Sequence, residues 1–520
     1  MTVAPPRLST LLDHIDSAVA TYGDRACLVL PDAALTYGEL DRLANAAAAV
    51  LLDRGVREGS VVMTLCHNGA AIVATWFACL KLGAVFAPLN ASLSGDPLAH
   101  VLARAGGSVL VCDNDLVEAA RAASHDVESL RHTLAGRDTF ERALHAAGTA
   151  APPRPRDNPA APARLMFTSG TTGESKGVLW SRYAETLHAV CYGDELVRIA
   201  PGETSYTCLP LFHVTAQGTL LGTMLRGGRT VIDRRFEPLR FWARTRAAGA
   251  VFFPYVGTII SALMARAPRR NDADNPVRRA MGSATPSGLW ESFEERFDVR
   301  LEDVWGQTET ASCWTRARPH GPVVGTVGVP CERFEARIDR GSGAAADARE
   351  IGELWIRPSA PHVIFEGYAG AGTEPEDPTE DGWYRTGDLL SRDSDGLLTF
   401  HGRLREAIRR RGETIAPEEI EAVAIQHPGI REAAAIGVPA DDGVEDEILL
   451  CVVMRATAET TPAALHAFLV RRLPRFMVPR FIRIERALPK TATTRVRRLA
   501  LRDAGRAGAW DAKSRRSHHA

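Results

Sequence analysis

Helical patterns and short apolar runs alternate through the first half of this 520-residue chain, and this alternation limits its possible folds more than any other feature. The segment YGELDRLANAAAAVLLDRG, residues 37–55, has the apolar spacing of an amphipathic helix. VVMTLC, residues 61–66, is a strand-like run, and AAIVATWFACLKLG, residues 70–83, is a second helical segment. The alternation predicts an α/β fold.

The length predicts more than one domain, because 520 residues exceed what a single hydrophobic core usually organises. Residues 149–163, TAAPPRPRDNPAAPA, have no apolar periodicity and predict a surface connection between subdomains. Near Gly402 a strand-like run passes into a charged segment and then a helix, which predicts a domain boundary at 402–405. The predicted units are a large body over 1–402, a small C-terminal domain over 403–505 and a disordered tail over 506–520.

The composition excludes several classes of protein. Apolar residues make up 45% of the chain, charged residues 24%, and the formal net charge is −1, so neither nucleic acid nor a membrane surface is an expected partner. The nine cysteines lack a C-x-x-C pair, which argues against a disulfide framework and a zinc site. With no signal-peptide pattern and no apolar run of ~20 residues, we expect a cytoplasmic protein.

The stretch LMFTSGTTGESKGVLW, residues 165–180, is the strongest chemical signal in the sequence. A strand-like run enters a loop of Gly, Ser and Thr, whose backbone N–H groups and hydroxyls can converge on phosphate oxygens, and Lys176 adds a positive charge. It is not a Walker A loop, because Ser175 stands where that pattern has Gly. If this loop were the only motif in the sequence, a mobile turn would be a better interpretation than a phosphate site. The predicted phosphate-site residues are Thr168, Ser169, Gly170, Thr171, Thr172, Gly173 and Lys176.

The loop does not stand alone, because TSGTTGESKG resembles the phosphate loop of the acyl-CoA synthetase, luciferase and peptide-synthetase adenylation superfamily. Five further motifs of that family follow in order: LPLFHVTAQ at 209–217, VWGQTET at 304–310, GELWIRP at 352–358, GWYRTGDLL at 382–390 and GRLREAIRRRGETIAPEEIE at 402–421. The resemblance runs from about residue 10 to 505. It implies an α/β body, a small mobile α+β C-terminal lid domain, and ATP-dependent joining of an acid to AMP.

The resemblance assigns the nucleotide contacts. Glu309 is the expected Mg²⁺ ligand and Thr308 the expected partner of the α-phosphate; a helix-capping Thr beside a solvated Glu is the alternative. Trp305 stands where tyrosine is usual and is expected to stack on adenine, with an ordinary core aromatic as the rival interpretation. MGSATP, residues 281–286, resembles the family segment whose backbone passes along the adenine. The remaining expected nucleotide contacts in this segment and in VWGQTET are Ser283, Ala284, Thr285, Gly306 and Gln307.

Asp388 is expected to accept hydrogen bonds from the ribose diol, since a carboxylate is an acceptor-only group; a structural Asp at a turn is the alternative. Arg403 is expected to bind ribose or phosphate oxygens. Arg405 falls where the family has its hinge between the body and the lid, whose rotation would serve two half-reactions in turn.

The acid-binding pocket is predicted with less detail. His213 resembles a family residue that lines the acyl pocket and gates thiol entry, although a core histidine is the safer interpretation from the sequence alone. The other predicted wall residues are equally consistent with plain core. They are Phe212, Val214, Gln217, Phe253 and Tyr255, together with Ser283.

One motif departs from the family. ALPKTATTRVRRLALRD, residues 487–503, resembles P-K-T-x-T-G-K, but Thr494 and Arg495 replace its final Gly-Lys. Arg495 is expected to act catalytically in place of that lysine, and drift in an arginine-rich chain is the alternative. Because Lys490 in the same motif remains lysine, the arginine bias is not complete.

Three functions are compatible with these motifs. The first is an acid–thiol ligase that uses ATP and Mg²⁺ and passes the acyl group to CoA, the expected co-substrate, or to a carrier-protein thiol; FHVTAQ and WESFEERF look closest to carnitine and medium-chain acyl-CoA ligases. The second is an enzyme that adenylates nitrite for transfer to an aryl amine. The third is a non-catalytic nucleotide-binding homologue, against which Lys176, Glu309 and Asp388 argue.

Overall fold

The computed structural model describes residues 10–168, 175–340, 345–370, 379–410, 413–441, 446–455, 460–490 and 496–513. Its α-helices are α1 (Leu11–Tyr22), α2 (Tyr37–Asp53), α3 (Ala70–Leu82), α4 (Gly95–Ala105), α5 (Val117–Ala123), α6 (Glu141–Ala146), α7 (Arg182–Cys191), α8 (Val214–Leu225), α9 (Phe241–Ala248), α10 (Gly257–Met264), α11 (Trp290–Phe297), α12 (Pro417–Ile425), α13 (Pro462–Val470) and α14 (Arg498–Asp503). Short 3₁₀ or π segments span Asn114–Leu116, Gly136–Phe140, Tyr192–Val197 and Ser287–Leu289. None of the helices in the described part of the chain has the length and apolar character needed to cross a membrane.

The strands of the first half are β1 (Ala26–Val29), β2 (Ala34–Thr36), β3 (Val61–Leu65), β4 (Val85–Pro88), β5 (Val109–Cys112), β6 (His132–Ala135), β7 (Pro162–Thr168), β8 (Lys176–Ser181), β9 (Thr204–Thr207), β10 (Arg229–Ile232), β11 (Ala250–Val256), β12 (Arg279–Ser283) and β13 (Arg300–Asp303). Those of the second half are β14 (Thr315–Arg316), β15 (Val329–Pro330), β16 (Phe334–Asp339), β17 (Gly352–Pro358), β18 (Gly367–Ala369), β19 (Tyr384–Arg392), β20 (Leu398–Arg403), β21 (Ile408–Arg410), β22 (Glu413–Ile415), β23 (Ile430–Pro439), β24 (Asp446–Met454), β25 (Phe481–Glu485) and β26 (Trp510–Asp511). The helices predicted at 37–55 and 70–83 and the strand predicted at 61–66 are confirmed as α2, α3 and β3.

Two seven-stranded sheets form most of the body. The first sheet has the order β13-β12-β11-β9-β10-β1-β2 and is parallel except for the pair β1–β2. The second sheet has the order β18-β8-β7-β4-β3-β5-β6, with β8 antiparallel to both of its neighbours. Strands such as β4 and β5 are buried along their whole length, as expected for parallel strands covered on both faces. The α/β fold is therefore confirmed.

A smaller antiparallel sheet, β16-β17-β19-β20, completes the body. Its register places Asp388 of β19 directly opposite Arg403 of β20. The pairing brings together two of the predicted site residues, because directly opposed side chains in a sheet lie on the same face.

The C-terminal domain has its own core. A sheet of order β23-β24-β25-β26 carries apolar side chains on both faces, packed by α12 and α13 on one side and by α14 on the other. Among the described residues, no hydrophobic cluster mixes side chains from before Phe400 with side chains from after Ile408. The predicted boundary at 402–405 falls in this interval, and its exact position stays a prediction.

The chain after Gly505 departs from the predicted disorder over residues 506–513. Trp510–Asp511 forms β26, antiparallel to β25, and the Arg480 guanidinium holds the Asp511 carboxylate at 3.0 Å (Nη2–Oδ2). The indole of Trp510 packs on the domain core, which explains why this polar segment is ordered. Two strand residues are too few to show a periodic pattern in the sequence. Residues 514–520 of the predicted tail lie outside the described part.

Three acidic side chains crowd around one arginine where the boundary segment meets α12. Arg498 pairs with Glu406 (2.5 Å), Glu418 (3.0 Å) and Glu421 (2.9 Å). Gly402 has φ +133°, and an added Cβ there would collide with the Glu418 carboxylate. Burial above all, and the charges of Glu421 and Glu406, raise the pKa of Glu418 to about 7, although Arg498 opposes the shift. Near pH 7 the Glu418 carboxyl of this cluster therefore changes between its protonated and its charged form.

We predict that Glu418→Gln weakens the pH dependence of stability. A carboxyl whose pKa is raised on folding contributes stability below its unfolded pKa, and that stability is lost as pH rises through about 7. The wild type should lose about 1 kcal/mol of unfolding free energy from this group between pH 6 and pH 8, and the variant should not. Urea unfolding at both pH values measures the difference, with Glu332→Gln at an exposed site as the control. Equal pH dependence in wild type and Glu418→Gln would contradict the prediction.

Candidate functional site

The predicted phosphate loop joins two antiparallel strands. β7 ends at Thr168 and β8 begins at Lys176, and these two residues face each other in register. Ser169, Gly170, Thr171, Thr172 and Gly173 lie outside the described residues. The two ends of the loop are thus held by neighbouring strands inside the second sheet, which fixes where the phosphates of a ligand could bind.

Tyr368 links Lys176 to Glu309. It lies in β18, which pairs with β8, and its ring centroid is 4.6 Å from the Lys176 ammonium. Its hydroxyl donates to Glu309 Oε1 at 3.1 Å. Burial above all raises the pKa of Glu309, although the Tyr368 hydrogen bond and the positive charge of Arg403 oppose the shift. Tyr368 has no signal in the sequence, because this contact depends on the pairing of two strands far apart in the chain.

The turn that carries Glu309 is held by hydrogen bonds from two other segments of the chain. The indole N–H of Trp180, a fully buried residue of β8, donates to the carbonyl oxygen of Thr308 at 2.8 Å. The backbone N–H of Phe365 donates to the Glu309 carbonyl at 2.9 Å. These bonds hold Thr308 and Glu309 beside β8, the strand that begins at Lys176.

Asp388 is a buried carboxylate that binds three other residues of this site. One of its oxygens accepts from the Trp305 indole N–H (2.8 Å) and from the Gln307 amide (2.6 Å), and the other pairs with Arg403 (Nε–Oδ1 2.7 Å). Gly306 is exposed between the two donors. The Asp388 carboxylate thus holds Trp305 and Gln307 of one motif and Arg403 of another. A ribose bound to Asp388 would therefore share this carboxylate with Arg403.

The segment 283–285 is held in an unusual conformation. Ala284 has φ +60°, a left-handed backbone value that costs a non-glycine residue energy and is often found at functional sites. Thr285 anchors the segment through its backbone N–H to Asp303 Oδ2 (2.9 Å) and its hydroxyl to Asp303 Oδ1 (2.5 Å). Gly257 approaches so closely that an added Cβ would collide with the Ala284 carbonyl. Ser283 and Ala284 are consequently left exposed.

A cavity of about 80 Å³ lies between this segment, α8 and the 304–314 turn. Six predicted residues line it: Val214, Tyr255, Ser283, Trp305, Gly306 and Gln307. Tyr255 is fixed there because its hydroxyl donates to the buried Asp303 carboxylate at 2.6 Å. The cavity joins predicted acid-binding residues to predicted nucleotide-binding residues.

Three aromatic rings that the sequence analysis missed close the inner end of the cavity. The His188 and Tyr192 ring centroids are 5.0 Å apart, and each ring also meets Trp314 edge-on, at 5.7 and 5.6 Å. Nδ1 of His188 lies 3.0 Å from the Ala311 carbonyl, and burial lowers the pKa of this imidazole to about 3, so it is neutral. His188 and Tyr192 are four residues apart, and that helical spacing was the signal that could have paired them.

Other predicted wall residues do not line this cavity. Gln217 is fully buried, accepts from Arg164 at 2.5 Å and donates to the Leu211 carbonyl at 2.7 Å. Phe253 packs in an aromatic cluster with its ring centroid 5.0 Å from that of Phe241. Both side chains thus have partners in the core, as buried polar groups and rings usually do, and their place in the acid pocket stays a prediction.

The remaining predicted residues have simpler positions. Phe212 and His213 precede α8 with their ring centroids 4.5 Å apart, and neither lines the cavity. Burial lowers the pKa of His213 to about 4. Arg405 is exposed two residues after the end of β20. Arg495 lies outside the described residues.

Comparisons with known proteins show which family the chain resembles. Residues 15–369 match the family described as AMP-binding enzyme, and residues 419–495 match the AMP-binding enzyme C-terminal domain. The chain is 32% identical to the sulfoacetate–CoA ligase of Cupriavidus necator, over 96% of this chain and 98% of that protein. It is 27% identical to a crotonobetaine/carnitine–CoA ligase of Salmonella paratyphi B, over 92% and 96%. A crystal structure of the anthranilate CoA ligase AuaEII in complex with anthranoyl-AMP shares the fold, with TM-score 0.87, 22% identity and 96% and 98% coverage.

Proposed function

The chain belongs to the AMP-binding enzyme family and is an AMP-forming ligase, and we propose that it joins a small carboxylic acid to CoA with ATP as the energy source. One observation supports the proposal most strongly. Lys176, Glu309 and Asp388 come from three distant motifs, and Tyr368 and Arg403 connect them into a single site. Asp388 joins this site to Trp305 and Gln307, which line the cavity. The names of the related CoA ligases support CoA as the acceptor.

In the proposed complex, ATP binds across this site. Segment 283–285 and Trp305 border the adenine, while Asp388 and Arg403 receive the ribose. The phosphates lie at the loop between Thr168 and Lys176, where the lysine ammonium offsets their negative charge. This placement leaves the α-phosphate facing the cavity that holds the acid.

The residues present also suit a magnesium ion. Glu309 is a mostly buried carboxylate, and no Lys or Arg of the described residues forms an ion pair with it. A carboxylate in such a place is suited to a hard cation, and Mg²⁺ prefers oxygen ligands. When bound there, Mg²⁺ would offset the negative charge of the ATP phosphates.

The first half-reaction forms an acyl adenylate. A carboxylate oxygen of the acid attacks the α-phosphorus, the bond to the bridging oxygen breaks, and pyrophosphate leaves with the electron pair. Lys176 and Arg403 stabilise the charge that develops on the phosphates, and we propose that Thr308 and Arg495 contact the same oxygens. The adenylate makes the acyl carbon reactive, because AMP is a better leaving group than oxide.

In the second half-reaction the CoA sulfur attacks the acyl carbon, and AMP leaves with its oxygen. The thiol must lose its proton, which passes to the departing AMP or to water. His213 is neutral at pH 7, because burial lowers its pKa to about 4, and its Nε2 has no hydrogen-bond partner among the described groups. We propose that His213 guides the thiol toward the adenylate, and that the lid turns about Arg405 between the two steps.

The cavity indicates which acids fit. Its volume of about 80 Å³ is roughly half that of an engineered ~150 Å³ cavity that binds benzene. No Lys or Arg is among the described residues that line it, so a second negative charge on the acid would remain unpaired. The proposed substrate is therefore a short acid with one carboxylate.

We predict that AMP formation depends on both a short monocarboxylic acid and CoA. Straight-chain acids of increasing length, supplied with ATP and Mg²⁺, should show highest turnover for the shortest members, because the cavity excludes long chains. Pyrophosphate release and thioester formation measure the two half-reactions. Release with nitrite plus an aryl amine and not with any carboxylic acid would contradict the proposal, as would ATP binding without any release.

We predict that Glu309→Gln lowers the rate of pyrophosphate release by about 10²-fold or more and leaves the fold intact. The change removes a metal-ligand charge and almost no volume, and burial already disfavours the charged carboxylate. Single-turnover pyrophosphate release and thermal unfolding measure the two effects. Glu335→Gln, at a surface ion pair, is the control and should release pyrophosphate like the wild type. Near-normal release by Glu309→Gln at limiting Mg²⁺ would remove Glu309 from the metal site.

A further inference from the structure

The motif GELWIRP, residues 352–358, resembles the family, but no step of the proposed reaction uses it. It forms β17, the strand between β16 and β19 in the small antiparallel sheet of the body. The neighbouring strand β19 carries Asp388, the carboxylate that is proposed to receive the ribose. Contacts between these two strands therefore bear on the nucleotide site.

The ladder between β17 and β19 is interrupted beside Asp388. Glu353 lies opposite Leu389, whereas Trp355, two residues further along β17, lies opposite Arg385. A regular antiparallel ladder would advance by two residues on β19, but the change from 389 to 385 is four, so β19 bulges over residues 386–388. Bulges of this kind often occur next to active sites, where they change the direction of a side chain.

The backbone groups of the bulge need partners outside a regular ladder. The Gly387 N–H donates to Glu353 Oε1 at 2.9 Å. The Thr386 carbonyl accepts from the Gln307 amide at 2.9 Å, and the Asp388 N–H donates to the Thr386 hydroxyl oxygen at 3.1 Å. A side-chain carboxylate of β17 thus takes the place that a backbone carbonyl would have in the ladder.

The same carboxylate has a second N–H partner. Glu353 Oε2 accepts from the indole N–H of Trp355 at 2.9 Å. This mostly buried ring is held by the guanidinium groups of Arg337 on β16 and Arg385 on β19, which lie 4.6 and 4.5 Å from its centroid. Each oxygen of Glu353 therefore accepts from an N–H group whose position is fixed by the sheet.

This pair of contacts requires a carboxylate at position 353. A carboxylate accepts hydrogen bonds on both oxygens, whereas a glutamine side chain has one acceptor oxygen and one NH₂ donor. Glutamine would place its NH₂ against either the Gly387 N–H or the Trp355 indole N–H. A donor that faces another donor loses its hydrogen bond and gains no new partner.

Gly387 also contacts the segment at the predicted domain boundary. Its φ of +68° is a value that favours glycine. Its carbonyl accepts from the Leu404 N–H at 2.8 Å, and Leu404 follows Arg403, which pairs with Asp388. Glu353 therefore holds the residue that precedes the Asp388 carboxylate and that is bonded to the segment carrying its arginine partner.

We propose that Glu353 is a positioning residue for nucleotide binding: by holding the Gly387 N–H, it keeps Asp388 where it can accept hydrogen bonds from the ribose diol. This rests on the proposed function, in which the ribose of ATP binds Asp388. Glu353 acts through the backbone of Gly387 and Asp388 and not by touching ATP. Its loss is therefore expected to change the affinity for ATP and the recognition of the ribose hydroxyls.

Titration calorimetry on the full-length protein tests the proposal with Mg²⁺–ATP and with Mg²⁺–2′,3′-dideoxy-ATP, which lacks the ribose diol. The wild type should bind ATP at least about tenfold more tightly than the dideoxy nucleotide. Glu353→Gln should bind ATP at least about tenfold more weakly than the wild type, and it should bind the two nucleotides almost equally, because Asp388 no longer meets the diol. The matched control is Glu335→Gln, on β16 of the same sheet, which should bind both nucleotides like the wild type.

A second substitution tests the physical cause. Trp355→Phe removes the indole N–H but keeps an aromatic ring beside the two arginines, and it should bind both nucleotides like the wild type. In Glu353→Gln/Trp355→Phe the glutamine oxygen can accept from the Gly387 N–H while its NH₂ faces no donor. This double variant should therefore regain most of the affinity for ATP and the preference for the ribose diol, which a loss of packing alone would not restore.

The two nucleotides distinguish failure of this proposal from failure of the proposed function. Thermal unfolding is measured for each variant. If Glu353→Gln keeps the wild-type ratio of the two affinities, the proposal is wrong, even if the variant unfolds at a lower temperature. A double variant that binds ATP no better than Glu353→Gln would also overturn it. Equal binding of the two nucleotides by the wild type, or no binding of ATP, would contradict the proposed placement of ATP and overturn this proposal with it.

Discussion

A buried guanidinium holds the body together. Arg164 in β7 has no exposed surface and lies between the rings of Trp76 and Trp180, 4.9 and 5.0 Å from their centroids. It pairs with Glu185 of α7 at 2.6 Å and donates to Gln217 of α8 at 2.5 Å. Because loss of one partner of a buried ion pair costs about 3–5 kcal/mol, the packing of α7 and α8 against the second sheet depends on this residue.

The same network sets the position of the proposed reaction site. Arg164 lies in β7 four residues before Thr168, where the phosphate loop begins, and Gln217, which binds Arg164, donates to the Leu211 carbonyl two residues before His213. Thr168 and Leu211 are therefore both connected to the buried Arg164. The cavity lies beyond the carboxyl ends of β11, β12 and β13, which is where open α/β sheets bind ligands.

The sequence predicted the α/β class, the early helices and the residues of the main motifs, because periodicity and loop chemistry are local properties. It could not predict Tyr368, which reaches Glu309 through the pairing of β18 with β8. It placed Gln217 in the acid pocket, although the amide of that residue serves the buried arginine. It predicted a disordered tail where Trp510 pairs with the last sheet, since a single, partly buried indole leaves no periodic signal. Each difference arises from contacts between segments distant in the chain.

The acyl adenylate is the central claim, and oxygen labelling tests it most directly. A carboxylic acid that supports turnover is prepared with ¹⁸O in both carboxylate oxygens and incubated with the protein, ATP, Mg²⁺ and CoA, and the AMP is analysed by mass spectrometry. If the carboxylate attacks the α-phosphorus and the thiol then displaces AMP, each AMP molecule carries one ¹⁸O atom and pyrophosphate carries none. AMP without the label, or label in pyrophosphate or inorganic phosphate, would contradict the account.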